Sequence, residues 1–139
     1  MSPLLDTNVL SEILRSAPDS AVLAWFSAQD ERQLFVSAVT QAEMVLGARQ
    51  LPPGGRRQRL EDALRGMFDA DFADRVLPFD SASASHFADI VESRRRAGRP
   101  ISQFDAQVAA IARLNGLSLA TRNVRDFEGC GLQLVDPWS

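Results

Sequence analysis

An α/β fold, with helices packed on both faces of a central parallel sheet, is predicted by three features of this 139-residue sequence. Short apolar runs alternate with longer runs whose apolar residues recur at helical spacing, the pattern of strand followed by crossover helix. At 45% hydrophobic the chain can bury one core but is too short for two, so residues 1–139 are read as a single domain. Its apolar runs stop short of the roughly 18 residues that cross a bilayer. No basic stretch leading into an apolar segment and a cleavage site opens the chain, so the cytoplasm is the expected location and no membrane attachment is expected.

The elements are expected in this order. Residues 3–5 form a buried strand, and "NVLSEILR" a first helix ended near Pro18. A second helix, "DSAVLAWFSAQ", starts at Asp19, a residue type whose carboxylate accepts from the free N–H groups of a first turn. "QLFVS" is the second strand and "TQAEMVLGARQL" the third helix, stopped by Pro52 and Pro53. The turn "PPGG" leads to an amphipathic fourth helix, "RRQRLEDALRGMF", and then to a third strand, "RVLPF". Residues 81–98 make a fifth helix and 102–116 a sixth, closing on Gly98 and Gly116, because glycine adopts the left-handed conformation that terminates a helix. "LSLAT" and "LQLVDP" complete a sheet of about five strands.

Composition removes several chemistries. Cys130 and His86 are the only residues of their types, so an internal disulfide, a Cys-rich zinc site, a His cage and a Ser/His/Asp triad lack their parts. All 15 basic residues are arginine. Without lysine there is no Schiff base, no P-loop phosphate ligand and no partner for a phosphoryl-aspartate; the dehalogenase pattern also fails, since Asn8 stands where its second Asp belongs.

Ligands of open α/β sheets bind beyond the carboxyl ends of the strands, and acidic residues gather at those junctions. Asp6 follows the first strand, Glu43 the second, Asp105 opens the sixth helix, and Asn123 and Asp126 follow the fourth strand. Taken singly, Glu43 in "TQAE" and Asp105 in "SQFD" also read as capping residues, with Thr40 and Ser102 as N-caps. Asp6 resists that reading, because an unpaired charge at the end of a buried strand costs several kcal/mol. If Asp6, Glu43 and Asp105 converge, one divalent cation neutralises them, and oxygen-only donors suit Mg²⁺ or Mn²⁺. Such an ion points to phosphodiester hydrolysis. Asp6 and Asp105 would bind it, Glu43 would complete the shell or orient the attacking water, and Asn123 and Thr121 would be neutral hydrogen-bonding members.

The segments "LLDTNVLSEIL", "SAVTQAEMVLGA", "LPFD", "FDAQVAAIARLNGLSLATRNVRDF" and "DPW" together resemble, end to end, PIN-domain ribonucleases of the VapC toxin type. The resemblance implies a PIN-like three-layer α/β/α fold, an Mg²⁺ (or Mn²⁺) site, cleavage of tRNA or another structured RNA, a homodimer, and neutralisation by a VapB-like antitoxin in a larger assembly. It places the family's first three acids on Asp6, Glu43 and Asp105 and its fourth on Asn123, a departure that removes one negative charge. One tight metal is therefore expected, with a second arriving with substrate. Asp126 is the other candidate for the fourth role. The departure also leaves open a binding module with weakened catalysis, and the scaffold leaves open a nuclease of RNA maturation or of DNA.

The net charge is −3 and the isoelectric point about 5.1, so attraction for RNA must be local. Thr7, Asn8, Thr121 and Arg122 flank the acids and are read as substrate-binding. Arg94, Arg95 and Arg96, at the end of the fifth helix, are read as phosphate contacts, since arginine binds phosphate through paired hydrogen bonds. Arg56, Arg57, Arg59 and Arg99 are further basic neighbours. Trp25, Phe26 and the apolar residues of "EMVLGA" and the fourth helix are candidates for an antitoxin groove.

Overall fold

The computed structural model describes residues 1–139. In chain order the elements are β1 (Pro3–Leu5), α1 (Thr7–Ile13), α2 (Ser20–Ser27), β2 (Val36–Ser37), α3 (Ala38–Arg49), α4 (Gly55–Gly66), β3 (Val76–Leu77), α5 (Ala84–Arg96), α6 (Gln103–Leu114), β4 (Ser118–Ala120) and β5 (Leu134–Val135). Every strand pairing is parallel: β1 with β4, β4 with β5, and β2 with β3. The expectation of one sheet of about five strands needs correction. β1, β4 and β5 form a three-stranded ladder, and β2 and β3 form a separate pair. A single bridge at Leu4 and Phe35 joins them, through Leu5 N–H to Phe35 C=O at 2.9 Å and Phe35 N–H to Pro3 C=O at 3.1 Å. The ladder goes no further because a 3₁₀ turn at Glu31–Gln33 precedes Phe35 and α3 begins two residues after Val36.

Period-two alternation in the strands sends side chains to two cores. Leu5, Val36 and Ala120 join Val9, Met44, Leu64 and Phe68 of the α1, α3 and α4 side. Leu4 and Leu119 face Ile90, Val108 and Ile111 of α5 and α6. This is a three-layer α/β/α sandwich. Trp25 and Phe26 pack against the first core, so their main use is structural. No helix is long and apolar enough to cross a membrane.

The helix starts explain where the site residues fall. Asp6 caps α1, its carboxylate accepting from Thr7 N–H, and Asp19 caps α2 through Ala21 and Val22. Ser102 caps α6, accepting from Asp105 N–H at 3.1 Å. For α3 the cap is Ser37, whose hydroxyl accepts from Thr40 N–H at 2.9 Å. The assignment of Thr40 as cap is therefore corrected, and Glu43 lies beyond the first turn, where no cap bond requires it. Gly98 (φ 71°) and Gly116 (φ 65°) end α5 and α6 in the left-handed region as expected. Two irregular turns have no apolar periodicity to announce them: a π turn at Met67–Asp71 after α4 and a 3₁₀ turn at Val124–Phe127 after β4.

Candidate active site

Register brings the site together. Asp6 still belongs to the sheet, its N–H donating to Ala120 C=O at 2.9 Å. Because β1 and β4 run parallel with Leu5 opposite Ala120, the residues just beyond them, Asp6 and Thr121, emerge side by side. The Thr121 hydroxyl donates to Asp6 Oδ2 at 2.8 Å, Thr7 N–H donates to Oδ1 at 2.9 Å, and the Asn8 amide reaches Oδ2 at 3.4 Å. Asn8 also accepts from Arg122 N–H at 3.2 Å, and Thr121 from Asn123 N–H at 3.1 Å. The Thr7 hydroxyl lies 3.3 Å from that of Thr40. Thr7, Asn8 and Thr121 thus act first as a scaffold for the Asp6 carboxylate.

Asp6, Glu43, Asp105 and Asn123 line one cleft of about 550 Å³, together with Thr7, Asn8 and Arg122. Asp6 is only 7% exposed. Burial pushes its carboxyl above the usual carboxylate range; the Thr121 and Thr7 hydrogen bonds oppose the shift, and the charges of Glu43 and Asp126 add to it. Asp105 is raised as well, by burial first and then by Asp6, with the Ser102 hydrogen bond working against it. No ion pair of the chain involves Asp6, Glu43, Asp105 or Asp126: the arginines pair with Glu12, Asp30, Glu61, Asp62, Asp74, Glu92 and Glu128 instead.

The acids face one cleft without closing on one point. No three His, Cys, Asp or Glu side chains are gathered tightly enough to form a ready cage. A small hard cation asks for only one or two carboxylates plus water and phosphate oxygens. The donors fit such an ion in kind: all are oxygens, two are raised by crowding and burial, and none has a cationic partner.

Asn123 is on the cleft wall, whereas Asp126 sits exposed on the Val124–Phe127 turn and lines a neighbouring depression with Asn123 and Arg122. Asp126 still acts on Asp6 and Asp105 through its charge.

The reading of Arg94 as a phosphate contact is corrected. Arg94 is 6% exposed and turned inward. Its Nε donates to Arg99 C=O at 2.7 Å and its Nη1 to Asp126 C=O at 2.7 Å and Glu128 C=O at 3.0 Å. Arg95 and Arg96 stay outside, but neither lines the cleft, and Arg96 is paired with Glu92. Cleft residues that sequence reasoning missed are Ser11, Glu12, Arg15, Phe104 and Trp138. Thr7 and Ser11, four apart, mark one face of α1, a readable signal, and Arg15 follows just past its end. Trp138 lies three residues beyond the end of β5.

A family model described as PIN domain matches residues 4–129. The chain is 40% identical to the VapC ribonuclease Y4jK of Sinorhizobium fredii over 97% of its own length and 96% of the relative's. It is 31% identical to the tRNA(fMet)-specific endonuclease VapC of Shigella flexneri, with 98% and 97% covered. Among solved structures, FitAcB from Neisseria gonorrhoeae superposes with a TM-score of 0.91 at 36% identity, covering 97% of each chain. FitAB bound to an IR36 DNA fragment gives 0.92 at 34% identity, covering 98% of this chain and 95% of that one.

Proposed function

The chain belongs to the PIN-domain family, among its VapC-type ribonucleases, and on that premise we propose that it hydrolyses RNA phosphodiester bonds with Mg²⁺ or Mn²⁺ as the toxin of a toxin–antitoxin pair. The observation that carries this reading is the set of acids that line one cleft, Asp6 at the carboxyl end of β1, Glu43 on α3 and Asp105 on α6, all without cationic partners. The ion, when bound, polarises the phosphate and lowers the pKa of coordinated water.

Asp6 and Asp105 are the residues that hold it, the two acids of the cleft whose carboxyls burial raises above the usual range. Glu43, exposed on α3, completes the shell or orients the attacking water. Thr121 and Thr7 keep the Asp6 carboxylate in one orientation through hydrogen bonds to separate oxygens. Asn123 supplies a neutral amide where the fourth acid would stand, which favours one tight ion in the free protein. Arg122, exposed at the cleft and free of any carboxylate, offsets the negative charge of incoming phosphates, whereas Arg15 beside it is already paired with Glu12.

The partner follows from a second groove. Leu14, Met44, Gly47, Ala48, Leu60 and Leu64 line an apolar depression between α1, α3 and α4 that shares Thr7, Ser11, Arg15 and Glu43 with the cleft. A peptide lying there leads straight into the active site. That shape suits a VapB-like antitoxin, and solved neighbours include VapBC complexes from Salmonella typhimurium and nontypeable Haemophilus influenzae. A homodimer, assembled further with antitoxin, is the expected form.

Antitoxin-free protein is expected to cleave tRNA in Mn²⁺, and excess EDTA should abolish cleavage until Mn²⁺ is restored. Equal cleavage in EDTA would remove the metal from the mechanism. No cleavage of any structured RNA, with the protein folded, would favour a binding module, the reading that Asn123 alone supports.

A further inference from the structure

We infer that Arg122 and Trp138 form a stacking platform for one nucleobase of the substrate, beside the phosphate that the acids address. The inference rests on the ribonuclease reading above and adds to it the group that reads the base.

The Arg122 guanidinium lies over the Trp138 ring, with its carbon 5.1 Å from the ring centroid, within cation–π range. Both residues line the same cleft as Asp6. Sheet register builds the pair. Ala120 of β4 lies opposite Val135 of β5, and Thr121 N–H extends the ladder to Val135 C=O at 2.9 Å. The two chains therefore leave the sheet together, one into Thr121 and Arg122, the other into Asp136, Pro137 and Trp138.

Both ends are pinned. Arg122 N–H donates to the Asn8 side chain at 3.2 Å, while the preceding Thr121 hydroxyl binds Asp6. Trp138 N–H donates to Asp136 Oδ1 at 2.9 Å, and Ser139 N–H to Asp136 C=O at 3.1 Å. Trp138 also packs on the core beneath. The guanidinium is the exposed outer layer and the half-buried indole the layer behind it.

Arg122 has no carboxylate partner. Its guanidinium carbon stands over the indole ring instead. A guanidinium plane backed by indole is the surface on which unpaired bases of single-stranded RNA stack, and such stacking tolerates any base because each has a π face. Lysine keeps the charge but cannot present a plane, which separates stacking from simple phosphate attraction.

The test uses labelled octamers, r(A)₈ and an abasic ribose-phosphate octamer of equal length, titrated by anisotropy in Ca²⁺ with cleavage checked on gels. Wild type is expected to bind r(A)₈ about tenfold or more tightly than the abasic octamer. Arg122→Lys and Trp138→Leu should each reduce that ratio to about threefold or less, with r(A)₈ binding by Arg122→Lys falling more than abasic binding. Arg122 is exposed, so its replacement keeps the test valid even if Trp138→Leu loses its fold.

A wild-type ratio near one, or a full ratio in Arg122→Lys, would overturn the platform while leaving the ribonuclease reading intact. A full ratio together with weaker retention of a cognate antitoxin by Arg122→Lys would assign the platform to the protein partner and equally overturn it. Failure of wild type to bind either octamer or to cleave any RNA would remove the ribonuclease reading itself.

Discussion

Asp6→Asn is expected to lower metal-dependent RNA cleavage by about a thousandfold or more while making the metal-free protein more stable. The first half follows from position. Asp6 is the acid tied most tightly into the site, by Thr121, Thr7 and Asn8, and an amide in its place keeps the shape but removes the charge that attracts the ion. The second half follows from burial. A carboxylate held above its ordinary range costs folding energy whenever it is ionised, so its penalty is fully present once the pH lies above the folded-state value. That penalty grows as pH rises from the ordinary carboxylate range through the folded-state value, and it is relieved as pH falls back. The isosteric amide escapes it. A gain of about 1 kcal/mol, or roughly 3–5 °C in Tm, is expected at pH 7 in EDTA. The gain should shrink toward pH 4 as the wild-type carboxyl takes up its proton. Scanning calorimetry of both proteins across that range reads the difference. A variant less stable than wild type at pH 7 would mean that the Thr121 and Thr7 bonds outweigh burial.

Arg94→Ala is expected to destabilise the protein by roughly 2–4 kcal/mol, since bonds to a buried charged donor are each worth more than neutral ones and the freed carbonyls lose their partner. The guanidinium ties the end of α5 to the Asp126 and Glu128 carbonyls and to Arg99, and so fastens the turn that follows Asn123. Urea denaturation should show the loss as a lower midpoint with an unchanged slope. Arg95→Gln and Arg96→Gln, on the exposed side of the same turn, should stay within about 0.5 kcal/mol of wild type. If Arg94→Ala matched them, Arg94 would be a surface residue after all.

Asp6 was readable because a charge after a buried strand has few uses, and Asp105 because α6 has strong apolar periodicity behind a serine cap. "RRR" reads as one basic patch and so hides Arg94, although adjacent helical residues point about 100° apart. Ile90 and Arg94, four apart, share the buried face of α5. "SAVTQAE" offers two hydroxyls, and the capping pattern alone favours Thr40. Pairing of Ser37 with Leu77 ends the strand at the first of them, a tertiary fact that no local pattern contains. The split sheet has the same origin: strands two residues long depend on neighbours brought from elsewhere in the chain. Trp138 stands in a quoted motif, yet its meeting with Arg122 depends on the β4–β5 register.

Calorimetric titration of Mn²⁺ into antitoxin-free protein, beside Asp6→Asn, addresses the central claim most directly. Unneutralised acids around Asp6, with Asn123 in place of a fourth, predict one tight site in wild type that is lost in the variant. Two independent tight sites without RNA, or binding unchanged by the substitution, would contradict it.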